Sequence, residues 1–358
     1  MSMKVARLRP ERLKELILFL LIATTLLGFS FLIDDYLSGR FFNRVTQGVA
    51  VTAVMAAGQS LVIITRNIDL SVGSIAGVSA YVTGDLLGDH LGTNSIVAVV
   101  IAVGIGAGLG LVNGAIITYG RIPSIIVTLG TLAIYRTWLI SYADARTITA
   151  DSLPQWVVDL PRSTVFSIGE FDFRTMFVLA VVVVLVLQMA LGRLRPGRLV
   201  YAVGSNPEAA RQAGLPEGRV VLTAFTACGA LAGLSGFLVL ARFGTITVTA
   251  GQGLELESIA AAVVGGVSTL GGSGTIVGSL FGTVLIALLN QSLVRVTQIS
   301  EFVRDAVLGL LILLAVVVDG LISRRFTARR TIMATARKDP ADDAAVGRRG
   351  VEAIGPGP

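Results

Sequence analysis

The chain has 358 residues, of which 53% are hydrophobic and 15% are charged, and its formal net charge is +6. Soluble domains carry about a quarter charged residues, so this composition excludes a soluble protein and indicates one that is mostly embedded in a membrane. The chain has one cysteine and one histidine, which excludes an intrachain disulfide and a metal site built from several thiolates or imidazoles.

The excess of positive charge lies in the two ends of the chain, residues 1–15 and 321–358. Basic segments beside membrane spans are typical of the cytoplasmic side and argue against a nucleic-acid surface. We therefore expect a basic cytoplasmic N-terminus over 1–15, a membrane domain over 16–320 and a disordered cytoplasmic tail over 321–358. This arrangement suits the inner membrane of a bacterium, with lipid and not nucleic acid around the protein.

Most of the membrane domain consists of apolar runs close to the roughly 20 residues that cross a bilayer. These runs lie near 16–32, 47–65, 71–88, 95–118, 124–142, 174–192, 220–241, 275–294 and 302–320. A further short crossing at Leu254–Leu270 is needed to bring both basic ends to one side. The sequence thus predicts an all-α membrane protein of about ten transmembrane helices, with short broken or re-entrant segments.

The segment Thr65–Ser74 is a polar island between two of these runs. Asp69 and Ser71 are good N-cap residues, so the island is either a broken helix that lines a cavity or an ordinary capped turn. Polar side chains elsewhere in the spans either bind a neutral, hydroxyl-rich solute or tie helices together. The candidate path residues are Gln59, Asn67, Asp69, Ser71, Asn113, Thr128, Thr131, Arg136 and Asn290.

Small residues are frequent in the spans. Glycines recur at 104, 106, 108, 110 and 114, and Gly278 and Gly282 form a G-x-x-x-G pair. In lipid, small residues allow helix backbones to approach closely. We expect a tightly packed bundle, with helix sliding during transport as the alternative role.

The charged side chains within or at the edge of predicted spans include Arg136, Glu255 and Glu257. Arg136 either serves the path or extends towards the outer surface, and Glu255 and Glu257 are either solvated or mark an outer entrance. The glycines at 265–274 lack the lysine of a phosphate-binding loop and favour a turn within the protein. The spans contain no mid-membrane carboxylate or histidine of the kind that proton-coupled carriers use.

A second polar island covers Gly204–Gly214 and predicts a short helix. Its start is either a Ser-x-x-Glu capping box at Ser205 or a cap by Asn206 with Pro207 behind it. Gly214 supplies the left-handed residue that ends the helix. A helix of this length is marginal alone, so on the cytoplasmic face it would serve as a contact for another protein.

With these segments in order, the chain resembles the membrane permease subunits of ABC importers for monosaccharides, of the ribose type, over roughly residues 45–320. The segments that carry the resemblance are Asn67–Ser74, Ile122–Thr131, Gly204–Gly214, Glu255–Gly274 and Asp319. Two departures bear on the exact substrate. The family often has two glycines where this chain has Arg66 and Asn67, and Glu-Leu-Asp where it has Glu255-Leu256-Glu257.

The resemblance implies a transport subunit, not an enzyme, which moves a monosaccharide from periplasm to cytoplasm and binds no cofactor or metal. ATP would be used by a separate ATPase subunit, and this chain has no lysine placed for a phosphate loop. The other implied partners are a periplasmic sugar-binding protein and a second permease chain, identical or sister. The implied ATPase-coupling helix consists of Asn206, Pro207, Glu208, Ala209, Ala210, Arg211 and Gly214.

Other functions remain open at this point. The chain could import the furanone signal autoinducer-2 instead of a nutrient sugar, or it could be a secondary carrier driven by an ion gradient. Branched-chain amino acid permeases share the broad architecture, but a zwitterionic solute would require more fixed charge along the path than Arg136 alone. A membrane-embedded enzyme is disfavoured because the sequence holds no Ser/His/Asp set or zinc motif.

Overall fold

The structure is a computed structural model that describes residues 10–296 and single positions at 306, 309, 310, 313 and 317. Within that part, the chain is mainly helical. The helices are α1 (Pro10–Ser30), α2 (Gly39–Ile64), α3 (Val72–Asp89), α4 (Ser95–Gly120), α5 (Ser124–Ala143), α6 (Gln155–Asp159), α7 (Thr175–Arg193), α8 (Arg195–Ser205), α9 (Pro207–Gln212), α10 (Glu217–Phe243), α11 (Leu254–Val264) and α12 (Ile276–Val296). Residues 1–9, the tail 321–358 and most of the predicted span 302–320 lie outside the described residues.

In the described part of the chain, six helices are long and apolar enough to cross a membrane: α2, α4, α5, α7, α10 and α12. They match six of the predicted spans, which confirms an all-α membrane protein. Two more predicted spans correspond to α1, whose apolar part covers Leu16–Ser30, and to α3. The count of ten crossings is therefore not confirmed by helix length and composition.

The predicted short crossing at Leu254–Leu270 forms a helix only as far as Val264. The 11 residues of α11 span about 16 Å, roughly half of a hydrocarbon core. The next residues form turns in which Gly266, Gly271 and Gly272 have positive φ. The predicted short crossing is therefore helical over only part of its length, because its apolar run ends in glycines that adopt conformations other residues rarely take.

The bundle has two ends, which we call the hairpin end and the α9 end. The hairpin is made of β1 (Thr164–Ile168) and β2 (Phe171–Arg174), paired antiparallel, and it is the one exception to an all-α fold in the described residues. Helix α7 follows β2 and leads into α8 and α9, so its length of about 28 Å separates the two ends. Gly39 at the start of α2 touches the backbone of Glu170 in the hairpin turn.

Helix α10 lies at the centre of the bundle, packed against α2, α3 and α4. The contact with α4 is made at backbone distance by Gly106 and Gly110 against Gly229 and Gly233, where an added Cβ would overlap the opposite backbone. Gly104 and Gly108 have no atom within 4 Å of such a Cβ. Only glycines spaced by four residues share the buried face, because four residues are about one helical turn. This confirms the expected close packing and restricts it to one face of α4.

The G-x-x-x-G pair joins α11 to α12 in the same way. An added Cβ on Gly278 would overlap the backbone of Gly265, and one on Gly282 would overlap that of Ala261. Four residues with less than 2% exposure, Ala56, Ala260, Ala261 and Ile286, form a core between α2, α11 and α12. The short α11 is therefore held between two long helices.

Candidate translocation site

A buried polar cluster lies where the chain breaks between α2 and α3. The Asp69 Oδ1 atom accepts hydrogen bonds from the backbone N–H of Ser71 at 2.9 Å and from the Ser71 hydroxyl at 2.6 Å. The Asn113 amide on α4 donates to the Ser71 hydroxyl at 2.7 Å, and the Tyr135 hydroxyl on α5 donates to Asn113 Oδ1 at 3.1 Å. Gln59 on α2 donates to the backbone oxygen of Asp69. The cluster thus joins four helices through one break.

Among the described residues, two oxygen atoms of this cluster find no hydrogen-bond partner: Asp69 Oδ2 and Gln59 Oε1. Both residues are fully buried. Buried polar atoms normally have partners, so these two atoms retain hydrogen-bonding capacity that the resting structure does not use. The island is thus a tight, buried break between α2 and α3, and whether this break lines a cavity stays a prediction.

The segment 67–68 is also held by α5. The Ser124 hydroxyl accepts from the backbone N–H of Ile68 at 3.3 Å, and the Thr128 hydroxyl donates to the backbone oxygen of Ile68 at 3.4 Å. Within the described part of the chain, the side chain of Asn67 bonds to Thr65 in its own turn. Thr131 bonds to the Thr128 backbone oxygen at 3.4 Å within α5. These contacts tie helices or turns together, and Thr131 lies beside the cluster without joining it.

Arg136 lies towards the hairpin end of α5 and is half-buried. Its guanidinium donates to the backbone oxygens of Val248 at 2.9 Å and Ala250 at 2.7 Å. We call residues 245–253, between α10 and α11, the wall segment. The same segment is packed against α3, where an added Cβ on Gly77 would overlap the Ala250 oxygen. Arg136 therefore pins the wall segment to α5.

The wall segment forms one side of a 420 Å³ cavity at the hairpin end, between α2, α10, α11 and α12. Neutral polar groups dominate the polar part of its lining: Thr52, Thr245, Thr247, Thr249, Gln252, Asn290 and Gln291. The charged residues in the lining are Arg44, Arg242 and Glu257. Asn290 contributes a buried side-chain oxygen for which the described part of the chain offers no hydrogen-bond partner.

The two glutamates of α11 have different surroundings. Glu257 lines the cavity, accepts a hydrogen bond from the Thr52 hydroxyl at 3.2 Å and interacts electrostatically with Arg242. Glu255 is turned towards α3, accepts from the Gly253 N–H at 3.2 Å and keeps one buried oxygen without a partner. The structure thus separates this predicted pair, and only Glu257 reaches the cavity.

The cavity and the buried cluster are distinct places that share α2. Thr52 lines the cavity and Gln59 belongs to the cluster. These residues are seven positions apart, which is two helical turns and about 10 Å along one face. Thr52, Tyr135 and Arg242 are absent from the sequence-based candidates. For Thr52, the spacing of two turns from Gln59 is a signal that was present in the sequence.

At the opposite end, α9 forms the predicted short helix. Asn206 is its N-cap, with the side-chain oxygen accepting from the Ala209 N–H at 3.1 Å, and Pro207 is the first helical residue. Gly214 ends the segment with a φ of +72°. Ser205 instead bonds back to Tyr201 at 2.8 Å, so of the two predicted starts the Asn206 cap is the one formed.

The polar face of α9 is exposed and carries both signs of charge. Arg211 lies 3.8 Å from Glu208 on the same helix and 3.0 Å from Glu217 at the start of α10. The side chains of Glu208 and Arg211 are 69% and 65% exposed. Pairs this exposed contribute little to stability, which leaves both charges available to a partner.

Residues 42–316 match the family model of the branched-chain amino acid transport system / permease component. Among curated relatives, the autoinducer 2 import system permease protein LsrC of Yersinia pestis (strain Pestoides F) is 35% identical over 302 residues, covering 84% of this chain and 83% of that protein. The LsrC protein of Yersinia pseudotuberculosis serotype O:3 (strain YPIII) is 34% identical over 302 residues, with the same coverage of both chains. No solved structure matches the chain.

These matches cover most of the predicted membrane domain and agree with the resemblance to ribose-type permeases that the motifs carry. They give no support to a carrier that works without an ATPase. The chain belongs to the branched-chain amino acid transport system / permease component family, and it is the transmembrane permease subunit of an ABC importer.

Proposed function

We propose that the solute is a monosaccharide or a molecule of similar size and hydroxyl content, and that it first binds in the cavity at the hairpin end. The observation that carries this proposal is the lining of the 420 Å³ cavity, in which threonine, asparagine and glutamine groups outnumber charges. Neutral donors and acceptors suit hydroxyl groups, and a small ligand site usually combines a few such groups with apolar walls. The single carboxylate, Glu257, is already engaged by Thr52 and Arg242.

The inward route runs along α2 from the cavity to the buried cluster. Thr52 and Gln59 lie two turns apart on one face of this helix, and Asn113 and Thr128 flank the break. The unpartnered oxygen atoms of Asp69 and Gln59 would accept hydrogen bonds from a passing hydroxyl group. The remaining polar candidates, Asn67, Ser71 and Thr131, would shape this break instead of touching the solute.

The α9 end faces the cytoplasm in this proposal, and α9 is the helix that an ABC ATPase subunit grips. Two observations support this role. The charged side chains of α9 are exposed, and the helix begins at a cap of its own, Asn206. A periplasmic binding protein would deliver the solute at the hairpin end, and a second permease chain, identical or sister, would complete the pore. The chain itself would bind no cofactor.

We place the protein in the bacterial inner membrane with both termini in the cytoplasm. The crossings would be the six long apolar helices, α1, α3, the span 302–320 and a tenth passage in which α11 covers only half of the membrane. The basic ends, residues 1–15 and 321–358, support this orientation.

Autoinducer-2 is a second candidate solute. The matched relatives from two Yersinia species are named as permeases of autoinducer 2 import systems. A small, hydroxylated furanone would meet the same neutral cavity lining, so the geometry alone favours neither solute. Branched-chain amino acids fit less well, because the ammonium group of a zwitterion needs a carboxylate and the one carboxylate of the lining, Glu257, is already engaged by Thr52 and Arg242.

The test starts from affinity purification of the tagged chain, which should bring an ATPase subunit and a secreted binding protein. Calorimetric titration of that binding protein with ribose, xylose, rhamnose, autoinducer-2 and leucine then identifies the solute. Binding of leucine, or of none of the other four compounds, would refute the proposal. In reconstituted vesicles, Gln252→Ala should raise the KM for that solute about fivefold, the effect of one lost hydrogen bond. Gln155→Ala is the matched control, because Gln155 bonds to Asp159 in α6 outside the cavity.

A further inference from the structure

Arg66 ends α2 in an unusual backbone conformation. Its N–H donates to the Ile63 oxygen at 2.9 Å, and the Asn67 N–H donates to the Val62 oxygen at 3.2 Å. This is the Schellman arrangement, whose left-handed position is normally occupied by glycine. Arg66 occupies it with a φ of +65°, a conformation that is strained for any residue with a side chain. Strain of this kind indicates that the side chain has a task which glycine cannot perform.

The side chain of Arg66 holds the joint between α8 and α9. Its Nε donates to the Gly204 oxygen at 2.6 Å, and a terminal guanidinium nitrogen donates to the Ser205 oxygen at 2.7 Å. These carbonyl groups form the C-terminal end of α8, where a positive charge is favourable. The next residue, Asn206, is the N-cap of α9.

A third segment closes the joint. The Gly272 N–H donates to the Ile64 oxygen at 2.8 Å, so the glycine turn after α11 is bonded directly to the end of α2. Gly271 lies against the Arg66 side chain, and Gly272 lies against Ser205, with no space for a Cβ atom on either glycine. Interfaces packed at backbone distance transmit displacement instead of absorbing it.

On its other side, Arg66 continues directly into the break that contains Asp69. That break is bonded to α4 and α5 through Asn113 and Thr128. We propose that Arg66 is a positioning residue that transmits displacement of α9 to the break between α2 and α3. The inference rests on the proposed role of α9 as the ATPase contact.

Hydrogen exchange measured by mass spectrometry tests this in the purified complex of the full chain with its ATPase subunit. The complex is compared without nucleotide and with ATP and vanadate, which traps the nucleotide. Two peptides are followed, one over 206–216 for α9 and one over 65–75 for the break. In the native chain, trapping should change exchange in both peptides. In Arg66→Gly, the change at 206–216 should persist, while the change at 65–75 should fall about tenfold, equivalent to about 1.4 kcal/mol of lost coupling.

Glycine suits the positive φ, so this variant removes the side chain without straining the backbone. Arg66→Lys should restore part of the response, since lysine keeps the charge but lacks the planar fork. Arg198→Gln is the control, because Arg198 is exposed and, in the described part of the chain, its side chain bonds to the backbone oxygen of Arg193 near the start of α8. Its two peptides should respond as in the native chain.

An unchanged response at 65–75 in Arg66→Gly would overturn the role of Arg66. Failure of the proposed ATPase contact would look different, because the peptide 206–216 would then not respond to trapped nucleotide even in the native chain. A loss at 65–75 that Arg66→Lys does not restore at all would also count against the proposal. If Arg66 acts as proposed, any cation at this position should keep part of the exchange response at 65–75, because it still faces the carbonyl groups at the end of α8.

Discussion

Replacing Arg136 with methionine removes both hydrogen bonds that pin the wall segment, to the oxygens of Val248 and Ala250. Bonds from a charged donor contribute about 1.5–3 kcal/mol each when buried. Arg136 is half-buried, so water weakens both bonds, and we take about 2 kcal/mol for the pair. The segment keeps its packing on Gly77 and the backbone bridge between Ile148 and Ile246. We therefore expect local opening of the segment, with the bundle intact.

A loss of about 2 kcal/mol raises the population of the open segment about 30-fold. Amide exchange measures this population directly when opening and closing are fast. In the native chain, the N–H groups of Ala250 and Gln252 are bonded within the segment, at 3.1 Å each. In Arg136→Met, exchange in a peptide over 245–254 should accelerate about 30-fold, and solute uptake should fall.

The matched control is Arg146→Met at the end of α5. Arg146 is 62% exposed and pairs with Asp85 at 3.8 Å, so its loss should leave exchange in 245–254 unchanged. If Arg136→Met exchanges in this peptide as slowly as the native chain does, then Arg136 does not hold the wall segment. Extension of its charge towards the membrane surface would then explain the residue better.

Three further predictions concern packing, coupling and topology. Gly110→Ala should lower the melting temperature of the purified protein by about 5 °C, the effect of about 1–3 kcal/mol of overpacking against α10. Gly108→Ala should leave the melting temperature unchanged, because there is open space beside Gly108. Equal melting temperatures of the two variants would refute the close packing of α4 on α10. Reversing the charges of Glu208 and Arg211 together should abolish uptake in vesicles while leaving the amount of protein in the membrane unchanged, and normal uptake would remove the coupling role of α9. A phosphatase reporter fused after Pro358 should be inactive because it stays in the cytoplasm, and an active one would contradict the ten-crossing topology.

Local sequence signals predicted α9 well, because its cap, its first residue and its terminating glycine all lie within a few positions of one another. The hairpin was missed, although Gly169 and Glu170 precede the alternating segment Phe171–Arg174 and follow a shorter alternation at 166–168. The strands have only five and four residues. Alternation over so few positions is a weak signal beside the long apolar spans of this chain. Helix α8 was missed for a similar reason, since its arginines and glycine suggested a connection.

The site was predictable as a set of residues but not as a geometry. Asp69, Ser71 and Asn113 were all candidates, yet only the rotation of α4 about its axis brings Asn113 to the break. Rotation of a helix that is apolar all round leaves no trace in hydrophobic periodicity. The same lack of periodicity hid the separation of Glu255 from Glu257, and no local pattern indicated what Arg66 touches.

The glycine contact between α4 and α10 restricts how this transporter can move. Two helices whose backbones touch cannot slide past each other without lifting apart, because each main chain lies in the groove of the other. We expect α4 and α10 to travel as one solid block through the transport cycle. This pair of helices would then be a fixed reference in the protomer, relative to which the other helices move.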